Sequence, residues 1–545
     1  MRFIVITGGV VSGLGKGITA SSVALILKSM GHVVTAIKID PYLNIDAGTM
    51  SPFEHGECYV LEDGGEVDLD LGNYERFLNI NFTKDHNITT GKIYQRVIQK
   101  ERDGAYLGKT VQIIPHITNE IQEWIHRVAH IPIEGRIPEF CIIEMGGTVG
   151  DMETGPFIEA IRQMSMNDDA YEFCFVHVSL LIENGGELKT KPTQQSTATL
   201  RTLGITPNLL ILRSPTEPPH DLIHKLSIQC HIPIRNIIIN TNVSSIYYVP
   251  HVFLKQGIDV KLYDSFGLQC PESRPFCYDA YYGLLAHFDA VVNTSDGESA
   301  DAESGAIRIS IAGKYVNMPD TYLSIIRAID HASIRLGVRT TIQWIDSDSA
   351  EISIDSATTD AVIIPGGFGS RGIEGKIEVA RQCREKGIPV LGICLGMQVM
   401  VVELFRANGF PDAASTEWMP TTSVPVIDSL PGQDGKMGGT MRLGNFKTTI
   451  RPDTCTAYCY SSAHTTERHR HRYEFNNAYC KQMEQYGMIV SGFNEEDSLV
   501  EIVEISNHPF YIGCQFHPEY SSKNEHPHPL FVGLLQSVIA KDMTS

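Results

Sequence analysis

The chain has 545 residues, 42% apolar and 20% charged, with 44 Lys and Arg against 64 Asp and Glu and a net charge of −20. That composition supports a sizeable core, excludes disorder for most of the length, and at about 150 residues per domain allows two large α/β domains or several smaller ones. So acidic a chain repels a polynucleotide, no apolar run reaches the ~18 residues of a membrane span, and Phe3–Ile6 is too short for a secretory leader. Twelve cysteines without a CxxC pair suggest neither a disulfide framework nor a zinc ribbon. A reduced, cytoplasmic protein with no nucleic-acid or membrane partner is expected.

In chain order, Phe3–Thr7, Val33–Ile39, Phe140–Glu144, Phe173–Leu181, Leu209–Leu212 and Asn236–Asn240 read as buried strands separated by helical crossovers. This pattern predicts a parallel sheet with helices on both faces over residues 1–270, with ligands at the strand ends. Tyr278–Asp289 reads as a closing helix and Asn293–Gly305 as a polar, acidic linker, together filling 271–304. A second α/β pattern over 305–545 contains strands Ile307–Ala312, Thr341–Ile345, Ala361–Ile364, Val390–Ile393 and Ile512–Phe516.

The first strand runs into GGVVSGLGKG and a helix, the arrangement in which backbone N–H groups and a helix dipole hold phosphate. Lys16 is placed to meet the β/γ-phosphates of a nucleotide. The loop departs from GxxxxGK[ST]: five residues separate Gly9 from Gly15, and Gly17 takes the slot of the magnesium-binding hydroxyl. Another group must then hold Mg²⁺, and Asp70 and Glu144 are the candidates, Glu144 because it ends a buried strand before GGTVGD. Lys38, Lys189, Lys191 and Lys225 add cations that a nucleotide site in an acidic domain needs.

In the second domain VLGICLGMQ is a thiol form of the nucleophile elbow, with Cys394 between a strand and a helix. About 120 residues later GCQFHPEY supplies His517 as base and Glu519 to orient it. PGGFG at 365–369 offers the Gly367 N–H to join that of Leu395 in an oxyanion hole. Acyl transfer to sulfur followed by hydrolysis is the chemistry these residues support.

PGGFG, GICLGMQ and QFHPE are similar to the class I, triad-type glutamine amidotransferases, and GGVVSGLGKG, KIDPYLN, DLDLGNYERF, EMGGTVGD and KTKPTQQS resemble the synthetase domain of the CTP synthase family. The resemblance covers nearly the whole chain in the family's domain order. It implies ATP-dependent amination of UTP to CTP, the last committed step of de novo pyrimidine nucleotide synthesis, with ammonia from glutamine channelled between the domains. It also implies Mg²⁺ at Asp70 and Glu144, ATP at Gly13, Leu14, Gly15, Lys16, Gly17, Ile18 and Asp70, and Lys16 and Lys38 acting in phosphoryl transfer. UTP and the inhibitor CTP fall to Ser12, Asp151, Met152, Glu153, Lys189, Thr190, Lys191, Pro192, Thr193, Gln194 and Lys225. The glutamine pocket falls to Gly367, Leu395, Gly396, Met397, Gln398, Glu417 and Arg472, and sensing of the activator GTP to the loop of Arg442. A homotetramer is implied, and filaments, which many members form, are left open. Two other readings fit parts of this pattern. A cobyric-acid-type amidase has the same plan but lacks use for KIDPYLN, KTKPTQQ and Lys225. A silent filament subunit has no need of Lys16, Cys394, His517 and Glu519.

Overall fold

The computed structural model describes residues 1–9, 11, 13–167, 171–270, 305–429, 441–496 and 498–542. Ser12, the expected helix over 278–289 and the linker over 293–304 lie outside the described residues. The described residues form two compact units, one of 1–46 with 70–270 and one of 47–69 with the described residues from 305 on.

The first unit is built on a seven-stranded, wholly parallel sheet. Its order is Ile237–Thr241, Leu209–Ser214, Glu172–Leu180, Arg2–Gly8, Phe140–Met145, Val34–Asp40 and Asn87–Thr89. Alternate residues face opposite sides. Phe3, Val5, Ile37, Ile39 and Ile143 pack with Ile121, Ile125 and Val128 of helix Thr118–Ala129 and with Ile161 of helix Gly155–Asn167. Helix Lys16–Ser29 packs on the central strands with Val23, Ile26 and Leu27 buried. Because the strands are parallel, Gly8, Lys38, Asp40 and Glu144 end up along one edge, which is why residues far apart in sequence meet there.

The second unit has a nine-stranded sheet. Five parallel strands, in the order Thr340–Asp346, Ile307–Gly313, Ala361–Ile364, Val390–Ile393 and Tyr511–Cys514, match the expected set. Four antiparallel strands extend it: Leu499–Glu504, Ile489–Asn494, Arg442–Ile450 and His464–His471. Sequence reading missed these, because HTTERHRH carries no apolar alternation. One face is covered by helices Ile373–Lys386 and Leu395–Ala407, the other by Leu323–Leu336 and Pro529–Asp542.

Sequence order assigns Ala47–Leu69 to the first domain, but this segment belongs to the second unit. Its hairpin, Cys58–Val60 with Glu66–Asp68, satisfies buried cations there. Arg468 donates to the Tyr59 hydroxyl at 2.9 Å and the Val60 carbonyl at 3.1 Å, and Arg470 Nε to Glu66 Oε1 at 2.9 Å. Glu57 accepts from the Ser324 backbone N–H at 3.0 Å and its hydroxyl at 2.6 Å.

Candidate active sites

In the first unit the strand Arg2–Gly8 turns at Gly8 and Gly9 into the loop that ends at Gly15, whose φ of 84° is a left-handed conformation glycine adopts without strain. A Cβ on Gly8 would lie 2.5 Å from Lys16 Cδ, so the lysine folds back over the loop. Lys16 Nζ donates to the Gly147 carbonyl at 2.9 Å and so ties the two glycine-rich segments together. A Cβ on Gly17 would overlap the carboxylate of Asp70. Glycine in the hydroxyl slot therefore lets Asp70 reach the helix N-terminus and stand where the missing Ser or Thr would.

Lys38, buried at its strand end, is ringed by carboxylates. It pairs with Asp70, with Asp40 Oδ1 at 3.4 Å and with Glu144 Oε1 at 3.7 Å. Tyr74 donates to Glu144, and Asn87 Nδ2 to Asp40 Oδ2 at 2.7 Å. Burial, then the charge of Asp70, pushes the Glu144 carboxyl upward against Lys38, Tyr74 and Lys16. Burial lowers Lys16 while Glu144 pulls it back. Asp70 and Glu144 bring hard carboxylate oxygens together beside the phosphate loop, a donor set that fits Mg²⁺ bound by one or two carboxylates with phosphate and water completing its shell. Among the described residues no three acidic, His or Cys side chains form a closed metal cage, and Mg²⁺ does not require one.

Sequence reading missed two features of this unit. A cavity beyond the strand ends is lined by Leu181, Glu183, Arg213, Pro215 and Asn242. Arg213 borders the phosphate loop, since a Cβ on Gly15 would lie 3.2 Å from its Nη1, and it donates to Asn242 Oδ1 at 3.2 Å. The signal was an arginine ending the buried strand LLILRS. His177 bridges Thr7 Oγ1 at 2.9 Å and Ser196 Oγ at 2.7 Å, joining the first strand to helix Lys191–Thr202. Burial, with the charge of Lys16, lowers it to about 4, so the bridge is a neutral imidazole.

The residues expected to hold UTP and CTP are less gathered. Thr190 and Thr193 are buried, Gln194 Nε2 donates to Thr190 Oγ1 at 3.0 Å, and Pro192 opens the helix with Lys191. Lys189 pairs with Glu187 at 2.6 Å. Lys191 and Lys225 are exposed, and no ion pair among the described residues engages them. Asp151 Oδ2 accepts from the Thr148 N–H at 3.0 Å, while Glu153 is exposed and Met152 is 91% exposed.

In the second unit Cys394 sits between strand Val390–Ile393 and helix Leu395–Ala407 with φ 54° and ψ −105°, a strained backbone for a non-glycine residue. Its N–H donates to the Cys514 carbonyl at 2.7 Å, which seats the elbow on the strand that leads to His517. The turn closes only because Gly392 and Gly396 lack side chains: a Cβ on either would overlap Met400 Sδ or the Ile364 carbonyl. His517 Nδ1 and Glu519 Oε1 are 2.7 Å apart. Burial works against charge on His517, but Glu519 and then Cys394 outweigh it and push His517 up to about 10. The result is an imidazole held toward its protonated form between Glu519 and Cys394.

A narrow cleft opens at Cys394. Gly367, Leu395, Gln398, Glu417 and Arg472 line it as expected, and Phe368, His471 and Tyr473 join them. Glu417 Oε1 accepts from the Gly369 N–H at 2.8 Å, and Gln398 Nε2 donates to the Tyr473 carbonyl at 2.8 Å. Gly396 and Met397 lie on the sheet side of the elbow, where Gly396 abuts Ile364 and Met397 abuts Gly513, and they shape the elbow without lining the cavity. Arg442, expected in the GTP-sensing loop, is buried at the start of strand Arg442–Ile450. It is 7% exposed, pairs with Glu501 at 2.7 Å and Glu474 at 3.4 Å, and stacks on Phe446.

A family model described as the CTP synthase N-terminus matches residues 2–268, and one described as class-I glutamine amidotransferase matches 317–537. A CTP synthase of Archaeoglobus fulgidus is 46% identical over 99% of this chain and 98% of its own length. The chain belongs to the CTP synthase family. Human CTP synthase 1 is 44% identical over 99% of this chain and 93% of its own, and the Dictyostelium discoideum CTP synthase 45% over 99% of each. Among solved structures, the glutaminase domain of Trypanosoma brucei CTPS with bound acivicin is 35% identical, covers 43% of this chain and 94% of that one, and has a TM-score of 0.41. Membership in the CTP synthase family makes the chain an α/β enzyme of the ligase class that takes nitrogen from glutamine to convert UTP to CTP in pyrimidine biosynthesis, using ATP. Its substrates are small molecules, and no described helix is long and apolar enough to cross a membrane.

Proposed function

We propose that the two sites divide the reaction into an activation and an amination. ATP lies with its phosphates on Gly13–Ile18 against Lys16 and its base toward the Arg213 cavity. Asp70 and Glu144 hold Mg²⁺, which when bound neutralises and aligns phosphate oxygens. Lys16 and Lys38 stabilise charge as the γ-phosphoryl group passes to O4 of UTP, a step that depends on position and electrostatics. In the second unit Cys394 Sγ adds to the glutamine carboxamide. The proton carried by His517 goes to the departing ammonia, and water then releases glutamate from the thioester. Ammonia is channelled unprotonated to C4 of phospho-UTP and displaces phosphate, sheltered from the water that would hydrolyse the activated ester.

Lys189–Gln194 and Lys225 bind UTP in a homotetramer in the cytoplasm. CTP inhibits at a pocket that includes Asp151, Met152 and Glu153, and Ser12 belongs to the same nucleotide site. GTP acts at the segment that carries Arg442. The observation that most supports the whole reading is the pairing, in one chain, of a strained Cys394 facing a cavity beside His517–Glu519 with a glycine-rich phosphate loop beside a carboxylate-ringed Lys38.

The test is CTP formation followed by ultraviolet absorbance from UTP, ATP, Mg²⁺ and either glutamine or ammonia, with and without GTP. Cys394→Ala is expected to lose synthesis from glutamine and keep it from ammonia. Lys16→Ala is expected to lose both. Glutamine-driven synthesis by Cys394→Ala, or near-normal ammonia-driven turnover by Lys16→Ala, would overturn the corresponding assignment.

A further inference from the structure

Lys376, on helix Ile373–Lys386, is 1% exposed, and its role is not explained by fold or by the Cys394–His517–Glu519 set. Its Nζ donates to two consecutive carbonyls of the PGGFG loop, Pro365 at 2.6 Å and Gly366 at 3.3 Å. No carboxylate pairs with it among the described residues. An ammonium buried without a counter-charge is costly, and a core position of this kind is ordinarily filled by an aliphatic side chain. Burial, with Lys314 adding, lowers Lys376 to about 7, and Cys394 opposes the shift.

The same loop meets the catalytic pair. A Cβ on Gly366 would lie 2.9 Å from His517 Cε1 and 3.6 Å from Cys394 Cβ. In a trans peptide the C=O and N–H point in opposite directions. With the Gly366 carbonyl held by Lys376, the Gly367 N–H points away from the lysine, and Gly367 lines the cavity with Cys394 and Leu395. A Gly-Gly pair has no side chain to hold this peptide plane, so either orientation is open to the loop unless something grips it.

We propose that Lys376 is a positioning residue of the glutaminase site, gripping the Gly366–Gly367 peptide so that the Gly367 N–H is presented to the oxyanion formed on Cys394. The inference rests on the reading of Cys394 as the nucleophile. As the Sγ–C bond forms, the carbonyl π pair moves to oxygen, and that oxygen takes hydrogen bonds from Gly367 and Leu395. Nothing is oxidised or reduced.

The test compares the intact chain with Lys376→Met, which keeps the volume and removes the donors. The expected result is a fall of roughly 10²–10³-fold in kcat for glutamine hydrolysis, the usual effect of losing one oxyanion donor. KM for glutamine should move by less than about threefold. Ammonia-driven synthesis should keep its wild-type rate, and alkylation of Cys394 by iodoacetamide should stay within about threefold of wild type, because displacement at a saturated carbon creates no oxyanion and only the modest field of Lys376 at the sulfur is lost. A kcat within about threefold of wild type, or a parallel fall in alkylation, overturns the proposal. If the Met variant does not fold, Lys376→Gln, which keeps one amide donor, serves in its place with an expected loss of roughly tenfold. Equal falls in kcat and alkylation in that variant overturn the proposal too. A wild-type chain that releases no ammonia from glutamine would instead overturn the nucleophile reading, and this inference with it.

Discussion

Single side chains carry the chemistry, and their environment sets what they do. His517 is held above its ordinary value chiefly by Glu519, against the pull of burial. A histidine raised in the folded state contributes stability that is complete below about pH 6.5, its unfolded value, and is lost as pH rises through about 10. Glu519→Gln removes the main cause of that shift. We expect the stability gap between wild type and variant, read from urea midpoints across pH, to be widest below about pH 6.5 and to close towards about 10. A gap that is constant or widens in alkali would mean the pair is not its source. Glutamine-driven turnover of the variant should fall by roughly 10²–10⁴-fold. Cys394, His517, Glu519, Lys16 and Glu144 were legible in sequence because each stands beside a strand end or glycine run. Lys376, Arg213 and His177 were not, since one lysine, one arginine and one histidine carry no periodic signal.

Elements place those side chains, and glycine decides how closely they approach. The elbow needs helix Leu395–Ala407 to press on strand Ala361–Ile364 with no Cβ at Gly396. Gly396→Ala meets a backbone carbonyl, which cannot swing aside as a side chain can. We expect it to destabilise the second unit by about 1–3 kcal/mol and to abolish glutamine hydrolysis while ammonia-driven synthesis survives. Urea unfolding and the two assays measure this, and a wild-type midpoint would refute the packing argument. The parallel strands were readable because both faces are buried and the runs are continuously apolar, as in Ala361–Ile364. The three-residue strand Asn87–Thr89 and the polar strand His464–His471 were not, because their pairing is supplied by neighbours distant in sequence.

At the scale of the whole molecule, sequence order and compact units differ over Ala47–Leu69. Glu66 and Arg470, 404 positions apart, form a pair with both side chains largely buried. Arg470→Met would leave a buried carboxylate unpaired, and we expect a loss of about 3–5 kcal/mol in the stability of the second unit. Thermal unfolding of the full chain would report it, and Mg²⁺–ATP binding by the first unit should be unchanged. A variant that melts like wild type would show that the hairpin contributes little there. The sequence by itself determined the α/β class, the strand–glycine–helix junctions and the residues able to do nucleophilic and phosphate chemistry, because these are local patterns of hydrophobicity and glycine. Only the tertiary structure decided which carboxylates surround Lys38, that Arg442 is turned inward, that Gly396 and Met397 face the sheet, and that a lysine grips the PGGFG loop. Those outcomes depend on burial and on pairing between distant residues, and a buried charge takes whichever partner the fold brings within reach.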